Sequence, residues 1–249
     1  LHPTLRRQRQ MCIRDSITGA LDIEFALVEG IKRFQTGLLA KANRGYLYID
    51  EVNLLEDHLV DLLLDVAQSG ENVVEREGLS IRHASRFILI GSGNPEEGEL
   101  RPQLLDRFGL SVEVLTPDTV DERIEVIKRR DDYDKHPEEY AATWDKENRK
   151  LRNKIQKARK SLASITVDSK ILEHCAQICI DLGSDGLRGE LTLVRTARAL
   201  AAFNGKERVD VGHIKTIAPM ALSHRLRRDP LDDAGSGTRV ERSVQKIIG

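Results

Sequence analysis

Residues 45–53 decide the fold of this chain, with the sequence Gly-Tyr-Leu-Tyr-Ile-Asp-Glu-Val-Asn. The apolar run Tyr46–Ile49 is too short for a helix and long enough for a buried strand. It therefore predicts that Asp50 and Glu51 lie at the carboxyl end of that strand. Open α/β sheets bind their ligands at this edge. We expect the two acids to belong to a ligand site.

Neighbouring acids at a strand end can divide one task, because successive strand residues point in opposite directions. Asp50 can hold a hydrated Mg²⁺ through hard oxygen ligands, while Glu51 polarises an attacking water. This is the arrangement of a Walker B motif. The alternative is a strand end whose carboxylates are solvated or cap the next helix. The motifs further along the chain favour the catalytic interpretation.

Composition indicates a helix-rich protein without a general affinity for anionic partners. Charged residues make up 32% of the 249 residues and aromatic residues 4%. Lys and Arg number 39 against 40 for Asp and Glu, so no global field favours nucleic acid or a membrane surface. No apolar run approaches the length of a membrane span, and the amino terminus lacks the apolar segment of a signal peptide. We expect a soluble protein that binds no nucleic acid and spans no membrane.

Three cysteines are present, and two of them, Cys175 and Cys179, lie four residues apart on the apolar face of a predicted helix. No second pair of ligands accompanies them, so we expect them to pack in a core rather than bind a metal. A reducing compartment fits this usage.

The first 16 residues do not resemble the start of a domain. They are Arg-rich and lack apolar periodicity, and we interpret residues 1–16 as a non-native or artefactual segment, with a basic nucleic-acid-binding arm as the alternative. Apolar residues from Asp22 onward predict one short helix, and residues 37–42 predict a second. The spacing of leucines and valine in residues 59–66 predicts an amphipathic helix that ends near Gly70.

A β-hairpin is predicted next, because residues 73–82 alternate about a turn at Glu77-Gly78. A hairpin at this place would project from the sheet and reach a substrate or partner; an elaborated loop is the alternative. Residues 86–91 then predict a second buried strand, and residues 112–114 predict a third.

Three further residues are candidates for phosphate contacts. Asn94 follows the second strand and can orient a water beside the acids, with a turn-forming Asn before Pro as the alternative. Arg107 follows the apolar anchors of a short helix and suits a charge-stabilising finger, with an exposed salt bridge as the alternative. Arg188 lies near a helix start, where the helix dipole also favours a phosphate.

The remaining sequence is expected to be helical. Residues 121–130 predict one helix, and residues 144–161 predict a long basic helix with little apolar surface. Asp168 and Asp210 are expected to cap two later helices, the second of which should extend to Leu226.

Four stretches appear in the order and context of an AAA+ ATPase: Tyr48-Ile49-Asp50-Glu51, Gly91-Ser92-Gly93-Asn94-Pro95, Leu104-Leu105-Asp106-Arg107-Phe108 and Gly186-Leu187-Arg188-Gly189. The full amino-acid sequences of residues 37–65, 91–109 and 185–190 are more specific than these short motifs. They resemble the ATPase subunit I of the magnesium chelatases. That family drives Mg²⁺ insertion into protoporphyrin IX for chlorophyll and bacteriochlorophyll synthesis. The resemblance runs from about Ile17 to about Pro230.

The resemblance implies roles for individual residues and a set of ligands and partners. Asp50 would help to coordinate the Mg²⁺ of Mg-ATP, and Glu51 would activate water. Asn94 resembles sensor 1, Arg107 an arginine finger acting in trans, and Arg188 sensor 2. The cofactors implied are ATP and Mg²⁺. The partners implied are a homo-oligomeric ring, the homologous D subunit and a porphyrin-binding H subunit, in the cytoplasm or in a plastid stroma.

The fold class implied is α/β of the AAA+ type: a partial parallel sheet flanked by helices with an inserted β-hairpin, followed by an all-α lid domain. After the artefactual segment 1–16, we expect a partial AAA+ core over residues 17–117 and a helical connector over residues 118–165. The lid is expected over residues 166–228, and residues 229–249 are expected to form a poorly packed tail or linker.

The sequence departs from the family in one respect. No Gly-x-x-x-x-Gly-Lys-Ser/Thr loop occurs in the 249 residues, although its backbone N–H groups and Lys supply most of the phosphate binding in such enzymes. We interpret the chain as a truncated copy, inactive alone, of an ATP-hydrolysing chelatase subunit. The alternatives are an AAA+ subunit of a cobalt chelatase or related machine, and a ring scaffold that does not hydrolyse ATP.

Overall fold

The computed structural model describes residues 14–21, 34–76, 79–98, 100–184, 186–226 and 235–249. The helix expected from Asp22, the Glu77-Gly78 turn and most of the segment 1–16 lie outside these described residues. The chain divides into two units, Leu1–Phe108 and Gly109–Gly249, and each is described by itself.

The first unit alternates short strands with helices. Its described strands are β1 Gly19–Leu21, β2 Phe34–Thr36, β3 Tyr46–Ile49, β4 Glu71–Arg76, β5 Leu79–Ala84 and β6 Ile88–Gly91. Its described helices are α1 Leu38–Lys41, α2 Asp57–Ser69 and α3 Pro102–Leu105, with 3-10 turns at Val52–Leu54 and Pro95–Glu97.

Strands β3 and β6 form a parallel pair that fixes the site. Their register places Tyr46 opposite Ile88 and Ile49 opposite Gly91, so the residues after both strands meet at one edge. One face of the pair packs on the core beside α2 through three side chains: Leu47, Ile49 and Leu89. The opposite face is exposed, so the prediction of a fully buried strand is wrong: alternate side chains of β3 face solvent.

The third strand predicted at residues 112–114 is also wrong. In the described stretch 100–184 these residues belong to no strand, and the side chains of Val112 and Val114 are 63% and 89% exposed. Alternation creates a strand only where a neighbouring strand supplies backbone partners. No strand of the described residues pairs with this segment.

Helix α2 confirms the prediction made from residues 59–66. Its apolar stripe is buried at five positions: Leu59, Val60, Leu63, Leu64 and Val66. Gly70 ends the helix in the left-handed region, with φ of +75°, and its N–H donates to the Val66 carbonyl at 2.8 Å. This helix is a rigid platform beside the sheet.

The predicted hairpin is confirmed over its described residues. Strands β4 and β5 pair antiparallel from Glu71 opposite Ala84 to Arg76 opposite Leu79. Its base is anchored by Asn72, a buried amide that donates to the Thr18 carbonyl at 2.9 Å.

The second unit is helical. Its described helices are α4 Val120–Lys135, α5 Pro137–Thr143, α6 Asp145–Ser161, α7 Ser169–Asp181, α8 Arg188–Phe203, α9 Val211–Leu222 and α10 Ser236–Ile248. The core is formed by α7, α8, α9 and α10. Helix α9 ends at Leu222 rather than Leu226, because a 3-10 turn, Ser223–Arg225, follows it.

Cys175 and Cys179 lie in this core, as predicted from their spacing on α7. Burial raises the pKa of the Cys175 thiol to about 11 and that of the Cys179 thiol to about 12. Both thiols therefore remain protonated and act as small apolar side chains.

The poorly packed tail expected for residues 229–249 is wrong for its described part. Helix α10 buries Val240 and Val244 in the core of the second unit. The Ser243 hydroxyl and the Lys246 ammonium donate to the Asp181 carboxylate at 2.7 and 2.5 Å. Valines four residues apart form an apolar stripe that outweighs the polar composition before them.

Among the described residues, no helix is long and apolar enough to cross a membrane.

Candidate functional site

Asp50 and Ser92 come together because each directly follows one strand of the parallel pair. The Ser92 hydroxyl donates to Asp50 Oδ1 at 2.5 Å. The Tyr48 hydroxyl lies 3.0 Å from the same oxygen and 3.2 Å from Ser92 Oγ. These hydrogen bonds favour the ionised carboxylate, and they lower the pKa of Asp50, with Ser92 as the larger cause and Tyr48 as the next.

The geometry at Asp50 fits the predicted role of a cation ligand. Both hydroxyls bond to Oδ1, and the carboxylate lies at the exposed edge of the sheet, where a cation can reach it. Within the described part of the chain, no cluster of three or more His, Cys, Asp or Glu side chains could hold a metal by itself. Mg²⁺ commonly takes one or two carboxylates and completes its shell with water and phosphate oxygens. The residues present fit a Mg²⁺ that arrives with a nucleotide.

Glu51 has an unusual backbone conformation. Its φ and ψ are +52° and +51°, the left-handed region that non-glycine residues rarely adopt. Hydrogen bonds across the strand ends hold it there: the Glu51 N–H donates to Ser92 Oγ at 3.2 Å, and the Val52 N–H donates to the Ser92 carbonyl at 2.8 Å. Strain of this kind, which costs about 1–3 kcal/mol, gathers at functional sites. The side chain of Glu51 is exposed at this edge of the sheet.

Asn94 lies at the same edge, three residues after β6. Its side-chain oxygen accepts from the Glu96 N–H at 3.1 Å, so it caps the 3-10 turn Pro95–Glu97. The turn-forming role weighed as the alternative is therefore present. Among the described residues, no hydrogen bond is made by the amide nitrogen of Asn94.

Sequence reasoning missed Ser92, Tyr48 and Asn53. The Asn53 amide donates to the carbonyls of Asn94 and Gly98 at 3.2 and 3.0 Å, which ties the segment after β3 to the loop after β6. A signal for Ser92 was available, because the residue that follows one parallel strand lies beside the residue that follows the next. Nothing in the sequence alone indicated Asn53.

Arg107 lies just after α3, which is anchored by the buried Leu104. Its guanidinium donates to Asp61 Oδ1 at 2.6 Å and to Asp65 Oδ1, both on α2. Its side chain is 23% exposed. The salt bridge weighed as the alternative is therefore formed within this chain, and it holds the guanidinium on a fixed platform.

Arg188 is the first residue of α8, as its position near a helix start predicted, and it is exposed. It belongs to the second unit, whereas the other four candidates belong to the first.

An open cleft of about 480 Å³ borders Asp50. Apolar side chains form most of its lining, among them Ile17, Leu38 and Leu63.

Two family models match the chain, one in each unit. The model described as "Magnesium chelatase, subunit ChlI" matches residues 22–101, and the model described as "AAA lid domain" matches residues 172–247. The magnesium-chelatase 38 kDa subunit of Cereibacter sphaeroides is 65% identical over 234 residues, which are 94% of this chain and 70% of that protein.

Two solved structures are similar to the chain. A putative ATPase from Cytophaga hutchinsonii matches with a TM-score of 0.66 at 18% identity, over 95% of this chain and 73% of that one, which shows the fold alone. A structure of the complex between subunits BchI and BchD of magnesium chelatase is 59% identical over 93% of this chain and 70% of that one, with a TM-score of 0.40.

These matches confirm the predicted fold class and the resemblance seen in the sequence. The AAA lid match and the putative ATPase agree with an AAA+ type α/β unit followed by helices. The identity to the 38 kDa subunit extends over nearly the whole chain, and Asp50 and Glu51 follow one of two parallel strands that end at the same edge. The chain belongs to the family of the magnesium chelatase ATPase subunit I.

Proposed function

We propose that this chain is the ATP-hydrolysing motor subunit of a magnesium chelatase, which couples hydrolysis to Mg²⁺ insertion into protoporphyrin IX in chlorophyll or bacteriochlorophyll synthesis. Support comes from 65% identity to a magnesium-chelatase subunit over 94% of the chain. The observation that carries the proposal is the Asp50–Ser92 contact at the edge of β3 and β6, which prepares an ionised carboxylate beside Glu51.

Asp50 and Glu51 have different tasks in this proposal. Asp50, held ionised by Ser92 and Tyr48, would help to hold the Mg²⁺ of bound Mg-ATP through its second oxygen. Glu51, whose side chain is exposed at the same edge, would accept a proton from the attacking water. Bound Mg²⁺ supplies charge neutralisation at the phosphates.

The remaining candidates would contact phosphate oxygens. The amide nitrogen of Asn94 would sense the terminal phosphate beside the attacking water. Arg107 would stabilise charge on the nucleotide of a neighbouring subunit. Arg188 would contact a phosphate from the start of α8, where the helix dipole adds to its charge. The Arg107 platform supports such a role, because a fixed guanidinium loses little freedom on binding.

The partners and setting are likewise proposals. We propose a homo-oligomeric ring that works with the D subunit and with a porphyrin-binding H subunit, in the cytoplasm or in a plastid stroma. The hairpin formed by β4 and β5 is a natural lever towards such partners. We also propose a core domain over residues 17–117, a connector over residues 118–165 and a lid that begins at residue 166. The contacts divide the chain at residue 108, and the lid extends past residue 228 because helix α10 packs in its core.

The test requires a version of the protein that carries the family's phosphate-binding loop upstream of residue 17. In that protein, Glu51→Gln should keep ATP affinity while turnover falls about 10²- to 10⁴-fold, as expected for the loss of a general base. Porphyrin metallation with the D and H subunits should fail with it. Glu71→Gln, at the exposed start of β4, is the matched control.

Near-normal turnover in Glu51→Gln would contradict the proposed chemistry and leave the acidic pair as a structural strand end. Normal ATP turnover without Mg²⁺ insertion, but with Co²⁺ insertion into a corrin-type ring, would instead assign the chain to a cobalt chelatase. Wild-type protein that joins the ring without any turnover would make it a scaffold.

A further inference from the structure

We propose that Asp61 and Asp65 are positioning residues that set the place of the Arg107 guanidinium for its contact with a neighbouring subunit's phosphate. The inference rests on the proposed function and deepens it. It assigns a task to two acids that lie on α2, away from the Walker B pair.

The geometry is a two-point grip. One terminal nitrogen of Arg107 donates to Asp61 Oδ1 at 2.6 Å, and the other terminal nitrogen donates to Asp65 Oδ1. A planar guanidinium held at both ends cannot rotate about its own axis, as it could with one partner. Asp61 and Asp65 are four residues apart, so both face Arg107 from one side of the helix.

The platform beneath the grip is rigid. Helix α2 is fixed by buried side chains on its opposite face, including Leu63 and Leu64. Arg107 approaches from the end of α3, where the buried Leu104 and the packed Phe108 limit the movement of its backbone. The position of the guanidinium is therefore determined from both directions.

Stability does not explain this arrangement. Two carboxylates four residues apart on a helix repel each other, and a single Arg cannot neutralise both. Both acids are half-exposed or more, where ion pairs contribute little because water screens them. Precise placement of the guanidinium for the neighbouring subunit's phosphate accounts for the two acids. A finger misplaced by about 1 Å can lose about 10²-fold in rate.

The experiment uses protein that carries the family's phosphate-binding loop and compares Asp61→Asn, Asp65→Asn and the double variant with the wild type. Each Asn keeps the side-chain size and one acceptor oxygen but removes the charge. We expect the double variant to lose about 10²-fold in kcat, with KM for ATP within about twofold of the wild type. Asp61→Glu and Asp65→Glu, which keep the charge, should retain more turnover than the corresponding Asn variants.

A matched control lies on the same helix. Asp57 pairs with Arg101 at 2.5 Å, and neither residue contacts Arg107. Asp57→Asn should leave kcat unchanged. Melting temperatures of all variants show whether a loss of turnover reflects unfolding, and the two single Asn variants provide the answer if the double variant does not fold.

A subunit-mixing assay tests the trans role of the grip. The double Asn variant mixed with Glu51→Gln subunits should restore less activity than wild type mixed with Glu51→Gln. It should still exceed the sum of its two parents, because a Glu51→Gln subunit supplies a placed Arg107 to the Glu51 of a double Asn neighbour. The mixture of Arg107→Ala with the double Asn variant should show no such gain, because neither subunit has a placed finger.

Unchanged kcat in the folded Asn variants would overturn the inference and leave an ordinary surface ion pair. A rise in kcat would overturn it as well, because the acids would then hold Arg107 back. Arg107→Ala, measured alongside, separates this failure from a failure of the proposed function. If Arg107→Ala keeps full turnover, the proposed finger is wrong; if it loses turnover and the Asp variants do not, only the positioning role is wrong.

Discussion

The Ser92 hydroxyl lies 2.5 Å from Asp50 Oδ1 and joins the ends of two parallel strands. A serine hydroxyl has one proton to donate and can accept more than one hydrogen bond. Ser92 gives its proton to Asp50 and accepts from the backbone N–H of Glu51 at 3.2 Å. One side chain thus fixes the ionisation of the first acid and the backbone of the second.

Replacement of Ser92 by Ala should raise the pKa of Asp50 towards its ordinary value, because the largest cause of the lowered pKa is removed. Tyr48→Phe removes the next cause and should give a smaller rise. Since the folded pKa lies below the unfolded one, the stability linked to Asp50 is present above the unfolded pKa and is lost as pH falls through the folded pKa. Carboxyl-carbon NMR titration measures both variants. An unmoved Asp50 pKa in Ser92→Ala would contradict the assigned cause.

Asp50→Asn should change the metal dependence of turnover as well as its rate, because an amide oxygen is a weaker ligand for Mg²⁺ than a carboxylate. In protein that carries the phosphate-binding loop, the Mg²⁺ concentration for half-maximal turnover should rise. Asp57→Asn, which removes an acid from the platform helix, serves as the control. The same Mg²⁺ dependence in Asp50→Asn and wild type would exclude Asp50 as a ligand.

Two helix caps in the second unit offer a matched pair. The Asp210 carboxylate accepts from the His213 N–H at 3.1 Å, and His213 Nδ1 accepts from the Asp210 N–H at 3.0 Å. Asp168 occupies the cap position of α7 without a side-chain hydrogen bond to the backbone. Asp210→Ala should therefore lower the free energy of unfolding by about 1 kcal/mol, and Asp168→Ala by much less. Urea denaturation followed by circular dichroism distinguishes them, and equal losses would show that the cap bonds are not the cause.

Val244→Ala should destabilise the second unit by about 1.5–3 kcal/mol, because it removes buried apolar atoms from the contact of α10 with the core. Glu241→Ala, on the exposed side of the same helix, should change stability by less than about 0.5 kcal/mol. Fluorescence of Trp144, the sole tryptophan, reports urea unfolding of this unit. Equal stability of the two variants would show that α10 does not dock on the core.

Much of the fold could be predicted because its cause is local. Residues only a few positions apart determine the apolar stripe on α2 and the glycine that ends this helix. The same is true of the two cysteines on α7. The strand at residues 112–114 could not be judged in this way, because a strand depends on a distant partner. The packed helix α10 was missed because polar residues before it obscured the recurrence of Val240 and Val244.

The sequence indicated the candidate site residues but not the contacts between them. Asp50 and Glu51 follow from their place after a strand, and Asn94 and Arg107 from their neighbours along the chain. Arg107 lies 46 positions from its partner Asp61 in the sequence, and Ser92 lies 42 positions from its partner Asp50. Only the register of β3 with β6 and the packing of α3 against α2 bring such residues together.

The open face of the β3–β6 pair is an apolar surface through which copies of the chain can associate in concentrated solution. Tyr46, Tyr48, Ile88 and Ile90 expose 44–69% of their surface side by side. Apolar patches of this kind promote self-association. A net charge of −1 gives molecules almost no mutual repulsion to oppose it. Among the described residues, these four uncharged side chains therefore favour association between copies of the chain, and a kosmotropic salt such as sulfate should strengthen it.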